Sequence, residues 1–358
     1  MFRLIRKIIK LVLGLIGVAI ILLGSFLVFA SFTTLKVKDV EKMEIKGNSE
    51  ASINSVNEIK ILSWNIGYGS LDEKADFYMD GGKEVIAKSK ETVNDNISTI
   101  IDKIEDINPD IMFVQEIDID SKRSHHINEL SLFEEAFSDD SYQHSYACNF
   151  KAGFIPIPLY QMMGKVEAGI ITYSKYGLKD STRVQLPIPF KWPINLMNLK
   201  RCLLVNRVKI EGNEKELVLI NLHLEAYSSE EGKTKQLEQL MSLMQEEYDK
   251  GKYVIAGGDF NQTFSSIDYA KYPKLNDWVC PVIDASKYDD FTFLMDDGTP
   301  TCRSLYKPYF DSDKTNHQYY MIDGFIASKN IDVKSLETVN LDFKNSDHNP
   351  VVMSFKLL

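Results

Sequence analysis

The stretch Gly257-Gly258-Asp259-Phe260-Asn261 places polar chemistry directly after an apolar run, Tyr253-Val254-Ile255-Ala256. A short apolar run that ends in glycines is typical of a buried strand leading into a tight loop. The carboxylate of Asp259 and the carboxamide of Asn261 are therefore expected to lie together at a strand end. Asp and Asn also favour turns by themselves, so this stretch alone equally allows an Asx-type turn that closes a strand.

The same arrangement recurs along the chain, because several other apolar runs end beside a polar side chain. The predicted strands cover residues 59–65, 111–114, 168–173, 202–205, 217–223, 253–256, 321–326 and 351–355. The polar residues at or next to the ends of these runs are Asn65, Glu116, His223, Asp259, Asn261, Asp323, Asp347 and His348. Apolar residues at helical spacing predict amphipathic helices over 91–107 and 236–248. Many strands with interspersed helices predict two packed sheets covered by helices.

The N-terminus combines a basic segment, residues 1–10, with 22 uncharged residues from Leu11 to Phe32. An apolar helix of about 20 residues is long enough to cross a bilayer. Positive charge before the span predicts a cytoplasmic N-terminus and an extracytoplasmic domain in a single-pass cell-membrane protein. A cleaved signal that ends near Ala30-Ser31 is the alternative. Residues 33–57 are polar and aperiodic and are expected to form a linker before a domain over 58–358.

The net charge of the chain after residue 39 indicates which classes of partner it can bind. After residue 39 the chain has 35 basic and 50 acidic residues, a net charge of −15. Proteins that hold a nucleic-acid backbone usually present basic surface, so extended nucleic acid is disfavoured without being excluded. The four cysteines show no C-x-x-C pattern, which leaves them as buried apolar residues or as one exported disulfide. A monomer is expected.

Six short motifs carry a resemblance to a known superfamily. They are Ser63-Trp64-Asn65, Gln115-Glu116, Asn221-Leu222-His223-Leu224, Gly258-Asp259-Phe260-Asn261, Ile322-Asp323-Gly324-Phe325 and Ser346-Asp347-His348. In this order they resemble the endonuclease/exonuclease/phosphatase superfamily, which includes DNase I-like nucleases, inositol-polyphosphate phosphatases and neutral sphingomyelinases. The resemblance spans residues 59–357 and implies an α+β fold. Its form is a four-layer α/β/β/α sandwich of two packed, mostly antiparallel sheets flanked by helices, here preceded by one transmembrane helix.

The resemblance also implies a metal site. Magnesium prefers carboxylate and amide oxygens and retains water. Glu116 with Asn65 beside it supplies such donors. Asp347, together with Asp259, could hold a second ion or help to hold the first. Mg²⁺ is the expected cofactor, with Mn²⁺ as an alternative, and one or two ions are both compatible with the sequence.

The remaining motif residues match catalytic positions of the superfamily. By resemblance, Asp259 orients or deprotonates the attacking water and Asn261 helps to position it. His348, supported by Asp323, is expected to contact the phosphate as an imidazolium. His223 matches the second phosphate-contacting histidine and could protonate the leaving oxygen. Two residues are matched by local similarity only. Arg201 is either a phosphate ligand or a solvated strand-start arginine. Glu167 is either a residue of the site or an exposed charge.

Two apolar segments, Phe150 to Met163 and Leu186 to Leu199, bear on the substrate. Their prolines predict loops with aromatic tips that either meet a membrane interface or fold back as a lid. The leading hypothesis is a membrane-anchored, metal-dependent phosphoesterase that acts on a small or lipid phosphoester. An exported DNase I-like endonuclease is the alternative, although the tyrosine motif of abasic-site endonucleases is not found. A catalytically silent phospho-ligand-binding relative and an adhesive β-sandwich are further alternatives.

Overall fold

The computed structural model describes residues 2–137, 141–212, 214–269, 272, 275, 280–310, 314 and 317–358. Its helices are α1 (Phe2–Thr33), α2 (Lys90–Ile107), α3 (Glu129–Ala136) and α4 (Glu230–Asp249). Both predicted amphipathic helices are present, and α4 begins six residues before the apolar pattern does. Within the described ranges, α1 alone is long and apolar enough to cross a membrane. It also includes the basic N-terminal residues, which the sequence placed before the span.

Two seven-stranded sheets form the body of the domain. The first consists, in spatial order, of β1 (Val40–Lys42), β7 (Leu178–Gln185), β8 (Cys202–Lys209), β9 (Glu216–His223), β10 (Tyr253–Asp259), β16 (Asp323–Ser328) and β13 (Phe291–Leu294). The second consists of β17 (Ile331–Thr338), β18 (Val351–Leu357), β3 (Ile59–Asn65), β4 (Ile111–Asp118), β6 (Gly164–Ser174), β5 (Gln143–Ile155) and β2 (Ile45–Lys46). Two-stranded pairs join β11 (Thr263–Phe264) with β12 (Val282–Ile283), and β14 (Cys302–Arg303) with β15 (Tyr319–Tyr320).

Each large sheet contains one parallel pair among antiparallel neighbours. In the first sheet the pair is β9 with β10, and α4 connects the two strands. In the second sheet the pair is β3 with β4, connected through α2. A parallel pair needs such a crossover, and it puts the carboxyl ends of both strands at one edge of the sheet. The crossovers therefore determine where the polar strand ends meet.

Three apolar layers hold these elements together. Ile61, Phe113, Ile255 and Phe325 belong to the buried cluster between the two sheets. A second cluster packs α4 on the first sheet, and a third packs α2 and α3 on the second. The inner strands β3, β4, β9 and β10 are buried along almost their whole length. The order of layers is helix, sheet, sheet, helix, so the predicted α+β sandwich is confirmed.

The segment predicted as a linker, 33–57, runs along the domain surface. Residues Val40–Lys42 pair with β7, Ile45–Lys46 pair with β5, and Ile53 is fully buried beside Ile210. Strands of two or three residues are too short to show a hydrophobic period, so the sequence did not reveal them. Strand β5 likewise extends to Ile155, and the loop predicted from Phe150 therefore begins only at Pro156.

The carboxyl end of α1 rests against the domain. The backbone N–H of Leu35 donates to the Lys151 carbonyl at 3.0 Å, and the Lys200 ammonium donates to the Thr34 hydroxyl. At Gly153, a Cβ atom would lie 2.6 Å from Thr33 Cβ and 2.9 Å from the ring of Phe29. The helix therefore ends on β5, without an intervening stalk.

All four cysteines are free thiols, and Cys202 and Cys302 are buried. Burial raises the pKa of both thiols to about 12. The structure thus has no disulfide among the four, and Cys202 and Cys302 fit the alternative of buried apolar cysteines, whereas Cys148 and Cys280 are partly buried.

We expect Glu247→Gln to destabilise the domain in a pH-dependent way. Glu247 on α4 accepts two hydrogen bonds from Arg207, at 2.8 and 2.9 Å, and one from Lys252. The Arg207 hydrogen bonds lower the pKa of Glu247 to about 2 in spite of burial. Because the folded-state pKa is depressed, this stabilisation is present above the unfolded pKa and disappears as the pH falls toward 2.

At neutral pH the loss should be about 1–3 kcal/mol in the free energy of unfolding, measured by denaturant titration of the full chain in detergent. The difference from wild type should shrink as the pH falls from about 5. Glu246→Gln is the matched control, because Glu246 is exposed and, among the described residues, forms an ion pair with Lys250 alone, at 2.8 Å. Equal destabilisation by both substitutions would contradict the assignment.

Candidate active site

Three of the predicted site residues lie side by side on the first sheet. Asp259 at the end of β10 is in register with His223 on β9 and with Asp323 on β16. On the second sheet, Asn65 at the end of β3 is in register with Gln115, which precedes Glu116. The two parallel pairs therefore deliver their polar ends to one place, as the sequence predicts.

Asp259 lies at the centre of this group. Its Oδ2 accepts a hydrogen bond from Asn65 Nδ2 at 3.1 Å and lies 3.4 Å from His223 Nε2 and 3.8 Å from His348 Nε2. Its Oδ1 accepts from the backbone N–H of Asn261 at 2.8 Å. Burial, reinforced by the nearby Asp323 carboxylate, raises the pKa of Asp259 to about 7. A carboxyl group with such a pKa suits proton transfer near neutral pH.

The glycines before Asp259 are required by close packing. Gly258 has φ +144°, and a Cβ there would lie 1.9 Å from the Leu222 carbonyl oxygen on β9. At Gly257 a Cβ would lie 2.3 Å from the ring of Phe325. Two side-chain-free positions thus let β10 approach both neighbours and bring His223 and Asp323 next to Asp259.

His348 and Asp323 form a buried pair. Their Nδ1 and Oδ2 atoms are 2.8 Å apart, and both residues are almost completely buried. Burial alone would lower the pKa of His348, but the Asp323 carboxylate outweighs burial and raises it well above the usual value. His348 is therefore an imidazolium, held by a carboxylate and directed toward Asp259.

His223 has the opposite electrostatic environment. Burial, together with the positive charges of Arg201 and His348, lowers its pKa well below the usual value. Its Nδ1 is 3.9 Å from Glu116 Oε1, and within the described residues this nitrogen makes no hydrogen bond. The two histidines at the site therefore have pKa values shifted in opposite directions, and the environment of His348 is the one that favours the imidazolium.

Of the three expected metal ligands, Glu116 and Asp347 line the same cleft, and Asn65 is buried beside Glu116. Asn65 Nδ2 donates to Glu116 Oε1 at 3.2 Å, and the Ser346 hydroxyl, next to Asp347, donates to the Asn65 carbonyl. Glu116 has φ +58°, a conformation that is uncommon for a non-glycine residue and often marks a functional site. Burial, opposed by His348 and reinforced by Glu116, raises the pKa of Asp347 to about 6. Crowded carboxylates of this kind fit a hard divalent cation, whose charge would stabilise their ionised forms.

In the described part of the chain, two groups of three residues each have their possible metal-ligand atoms within 4.8 Å of one another. The first group is Asp259, Asp323 and His348, and the second is Cys302, Asp347 and His348. In the first group, Asp323 already binds the imidazole of His348. In the second group, Cys302 lies on the two-residue strand β14, which the sequence pattern does not predict.

The structure distinguishes between the two residues matched by local similarity. Arg201 is buried in the cleft, donates to the His223 carbonyl at 3.2 Å and faces the buried carboxylate of Glu225 at 3.4 Å. The solvated-arginine alternative is therefore wrong. Glu167 binds Lys151 at 2.6 Å and does not line the cleft. The carboxamide of Asn261 donates to the Leu224 carbonyl at 2.9 Å, which fixes it at the cleft wall.

Further charged residues of the cleft were not predicted from the sequence. Arg303 is buried on β14, and its backbone N–H donates to the Asp347 carbonyl. Arg123 makes a two-point ion pair with Asp118 at 2.8 and 3.1 Å and stacks over the Tyr68 ring. Neither arginine follows an apolar run, so the rule that found the other site residues could not identify them.

The cleft has a volume of about 720 Å³ and combines the polar site with an apolar wall. Glu116, His223, Asp259 and His348 form one part of its lining. The two predicted loop segments contribute to the apolar part, with Ile155, Ile157, Met163, Phe190, Ile194 and Met197.

A buried carboxylate between two histidines, beside further carboxylates, has the residue types that metal-assisted hydrolysis of a phosphoester requires. The model of the Endonuclease/Exonuclease/phosphatase family matches residues 62–348, and the chain belongs to this family. Members of the family hydrolyse phosphoester bonds, and this chain is such an enzyme.

Solved structures share the fold at low sequence identity. An endonuclease/exonuclease/phosphatase from Beutenbergia cavernae is 18% identical, with a TM-score of 0.57 over 84% of this chain and 72% of its own. A second one, from Bacteroides vulgatus, is 16% identical, with a TM-score of 0.54 over 84% and 100%. ANGEL2, described as a 2′,3′-cyclic phosphatase, is 13% identical, with a TM-score of 0.54 over 90% and 99%. No curated protein matches the chain.

We expect Gly258→Ala to reduce the free energy of unfolding by about 3–5 kcal/mol, because its Cβ has no space beside the Leu222 carbonyl. Gly212→Ala is the matched control. Gly212 also has a positive φ, +66°, but no atom of the described residues beyond its chain neighbours lies within 4 Å of the added Cβ. The control should therefore lose only about 1 kcal/mol. Urea titration checks both variants, and similar losses would show that backbone conformation matters and contact with β9 does not.

Proposed function

We propose that this protein is a membrane-anchored, extracytoplasmic, Mg²⁺-dependent phosphoesterase that acts on a small or lipid phosphoester. The observation that carries this proposal is the position of Asp259. Its Oδ2 lies within 4 Å of Asn65, His223 and His348, in a cleft that also contains Glu116 and Asp347. Every residue type needed for metal-assisted attack of water on phosphorus is present, which argues against a catalytically silent relative.

Glu116, Asn65 and Asp347 are the residues that would hold the ion. Carboxylate and amide oxygens match the preference of Mg²⁺, with Mn²⁺ as an alternative, and the family generally depends on divalent metal. When bound, the ion would supply positive charge that polarises the phosphoester and stabilises the negative charge of the transition state.

Asp259 acts as the base toward the attacking water in this proposal. Its raised pKa makes it a better proton acceptor than an exposed aspartate. The backbone N–H of Asn261 fixes Oδ1, so Oδ2 remains directed to the site. The Asn261 side chain, anchored on the Leu224 carbonyl, helps to orient the water.

The two histidines and Arg201 are proposed to bind the phosphate. His348 is protonated, so it can pair with a non-bridging oxygen and donate a proton to the leaving oxygen, while Asp323 stabilises the imidazolium. His223, which is neutral, contacts the phosphate by hydrogen bonding. His223 is not assigned the protonation of the leaving oxygen, because burial lowers its pKa and so disfavours the protonated imidazole. Arg201, beside Glu225, adds positive charge behind His223.

Helix α1 is the proposed anchor, with its basic start in the cytoplasm and the domain on the other side as a monomer. The apolar residues of the helix are exposed, as expected for contact with lipid. Extended nucleic acid is a weaker substrate candidate, because the domain is acidic and one wall of the cleft is apolar.

Asp259→Asn should reduce kcat for bis-p-nitrophenyl phosphate or p-nitrophenyl phosphate by about 10²–10⁴-fold, because the amide cannot accept the proton of water. The assay compares Mg²⁺ with EDTA, on the full chain in detergent. Asp102→Asn, on an exposed face of α2, is the control and should behave as wild type. If Asp259→Asn kept full metal-dependent turnover on every ester, the mechanism would be wrong.

The anchor predicts that the protein in membranes retains its first 33 residues. Intact mass spectrometry of protein extracted from the membrane fraction of a bacterial host should give the uncleaved chain. A C-terminal tag should be digested by protease added to spheroplasts. A chain that begins after Ala30 would instead identify a cleaved signal, and a protected tag would place the domain inside the cell.

A further inference from the structure

An exposed apolar surface surrounds one side of the cleft mouth. It comes from the loop after β5 and from the segment between β7 and β8, and we call it the apolar rim. Its members are Phe154, Ile157, Leu159, Tyr160, Trp192 and Ile194. Leu159 is 78% exposed and Trp192 is 64% exposed, values that are unusual for side chains of this size. Clustered exposure of large apolar residues marks an interaction surface.

The rim has a defined position relative to α1. Gly153, adjacent to Phe154, packs on Thr33 and Phe29 of the helix. The short helical turn Ile194–Met197 also contacts α1. Because the carboxyl end of α1 is fixed to β5, a bilayer spanned by α1 would end beside the rim. Continuity with this helix is the reason to assign the rim to a membrane rather than to a protein partner.

The rim loop is held in place by hydrogen bonds. The Tyr160 hydroxyl donates to the Lys83 carbonyl at 2.9 Å, and Gln161 Oε1 accepts from the Val85 backbone N–H at 3.0 Å. A surface of this composition suits the interfacial region of a bilayer, where Trp and Tyr are enriched.

The rim continues into the cleft. Ile157 and Ile194 are more than half exposed, and both also line the cleft. Met163, Phe190 and Met197 extend the apolar wall from them toward the polar site. An acyl chain or lipid backbone could follow this wall while its phosphate reaches Asp259 and His348.

We propose that the apolar rim inserts into the headgroup region of the bilayer that α1 spans, and that the substrate is a phosphoester of a lipid in that leaflet. This rests on the proposed function and names its substrate class. The leaflet is the one from which the carboxyl end of α1 emerges. One water is consumed, its oxygen forms the new bond to phosphorus, and the P–O bond to the leaving group breaks. The leaving oxygen takes a proton from His348, and the proton of water passes to Asp259.

The first experiment measures hydrolysis by the full chain reconstituted in phosphatidylcholine vesicles. The vesicles also contain phosphatidylglycerol, phosphatidic acid or sphingomyelin, and phosphorus NMR follows the products. The double variant Leu159→Ser/Trp192→Ser alters exposed rim residues that do not line the cleft. We expect wild type to hydrolyse at least one of these lipids and the rim variant to lose at least tenfold in that rate. Val282→Ser, a change at another exposed apolar residue, is the control and should keep the wild-type rate.

The same proteins assayed on bis-p-nitrophenyl phosphate separate the possible failures. Metal-dependent turnover of this soluble ester, with no lipid turned over or with equal lipid rates in wild type and rim variant, overturns the lipid proposal and leaves the proposed function intact. Absence of turnover on every ester overturns the proposed function, and the lipid proposal with it.

A second experiment tests membrane contact without relying on activity. In vesicles of lipid brominated near the headgroup end of the acyl chain, part of the tryptophan fluorescence should be quenched. Trp192→Phe should remove that part, because Trp192 is the tryptophan that belongs to the apolar rim. Equal quenching in wild type and variant overturns insertion of the rim. A rim variant that changes the oligomeric state in detergent, without a change in quenching, would identify a second copy of the chain as the occupant.

Discussion

The packing of two imidazoles and three aspartates, all of them buried, in one site is the constraint on which the rest of this structure depends. Asp259, Asp323 and Asp347 are each less than a tenth exposed, and burial of a carboxylate is unfavourable unless charge or hydrogen bonds compensate it. The compensation here is shared between neighbours. Asp323 binds the protonated His348, Asn65 and Asn261 donate to Asp259, and the remaining negative charge fits a divalent cation.

This arrangement needs backbone positions that are accurate to a fraction of an ångström. The two sheets supply them through their parallel pairs, because strand register alone aligns His223, Asp259 and Asp323. The glycines of β10 remove the side chains that would push those strands apart. Glu116, at a register shift within β4, and Asn261, just beyond β10, have positive φ angles, which are uncommon for residues other than glycine. Regular strand pairing thus positions the rigid part of the site, and these two irregular positions set the orientation of Glu116 and Asn261.

The sequence predicts those features that have a period or a sharp boundary. The amphipathic face of α2 and the apolar run of β10 are both visible, and so is the polar residue that follows each inner strand. Features that depend on tertiary contact are not visible. Arg303 and Arg123 reach the cleft from segments without a hydrophobic pattern, and Glu225 meets Arg201 only because β8 and β9 are neighbours. The short strands of residues 40–46 exist because they pair with the sheet edges, and not because of any intrinsic preference.

The position of β18 has a consequence for the order of events during synthesis. This strand lies between β17 and β3 in the second sheet, and Asp347 and His348 immediately precede it. Until Val351–Leu357 is in place, β3 has no partner strand on the side away from β4, and the segment that brings the His348 imidazole to Asp323 is not anchored. Because β18 follows the other strands of both sheets in the chain, the pair of His348 and Asp323 can form only after those strands have been synthesised.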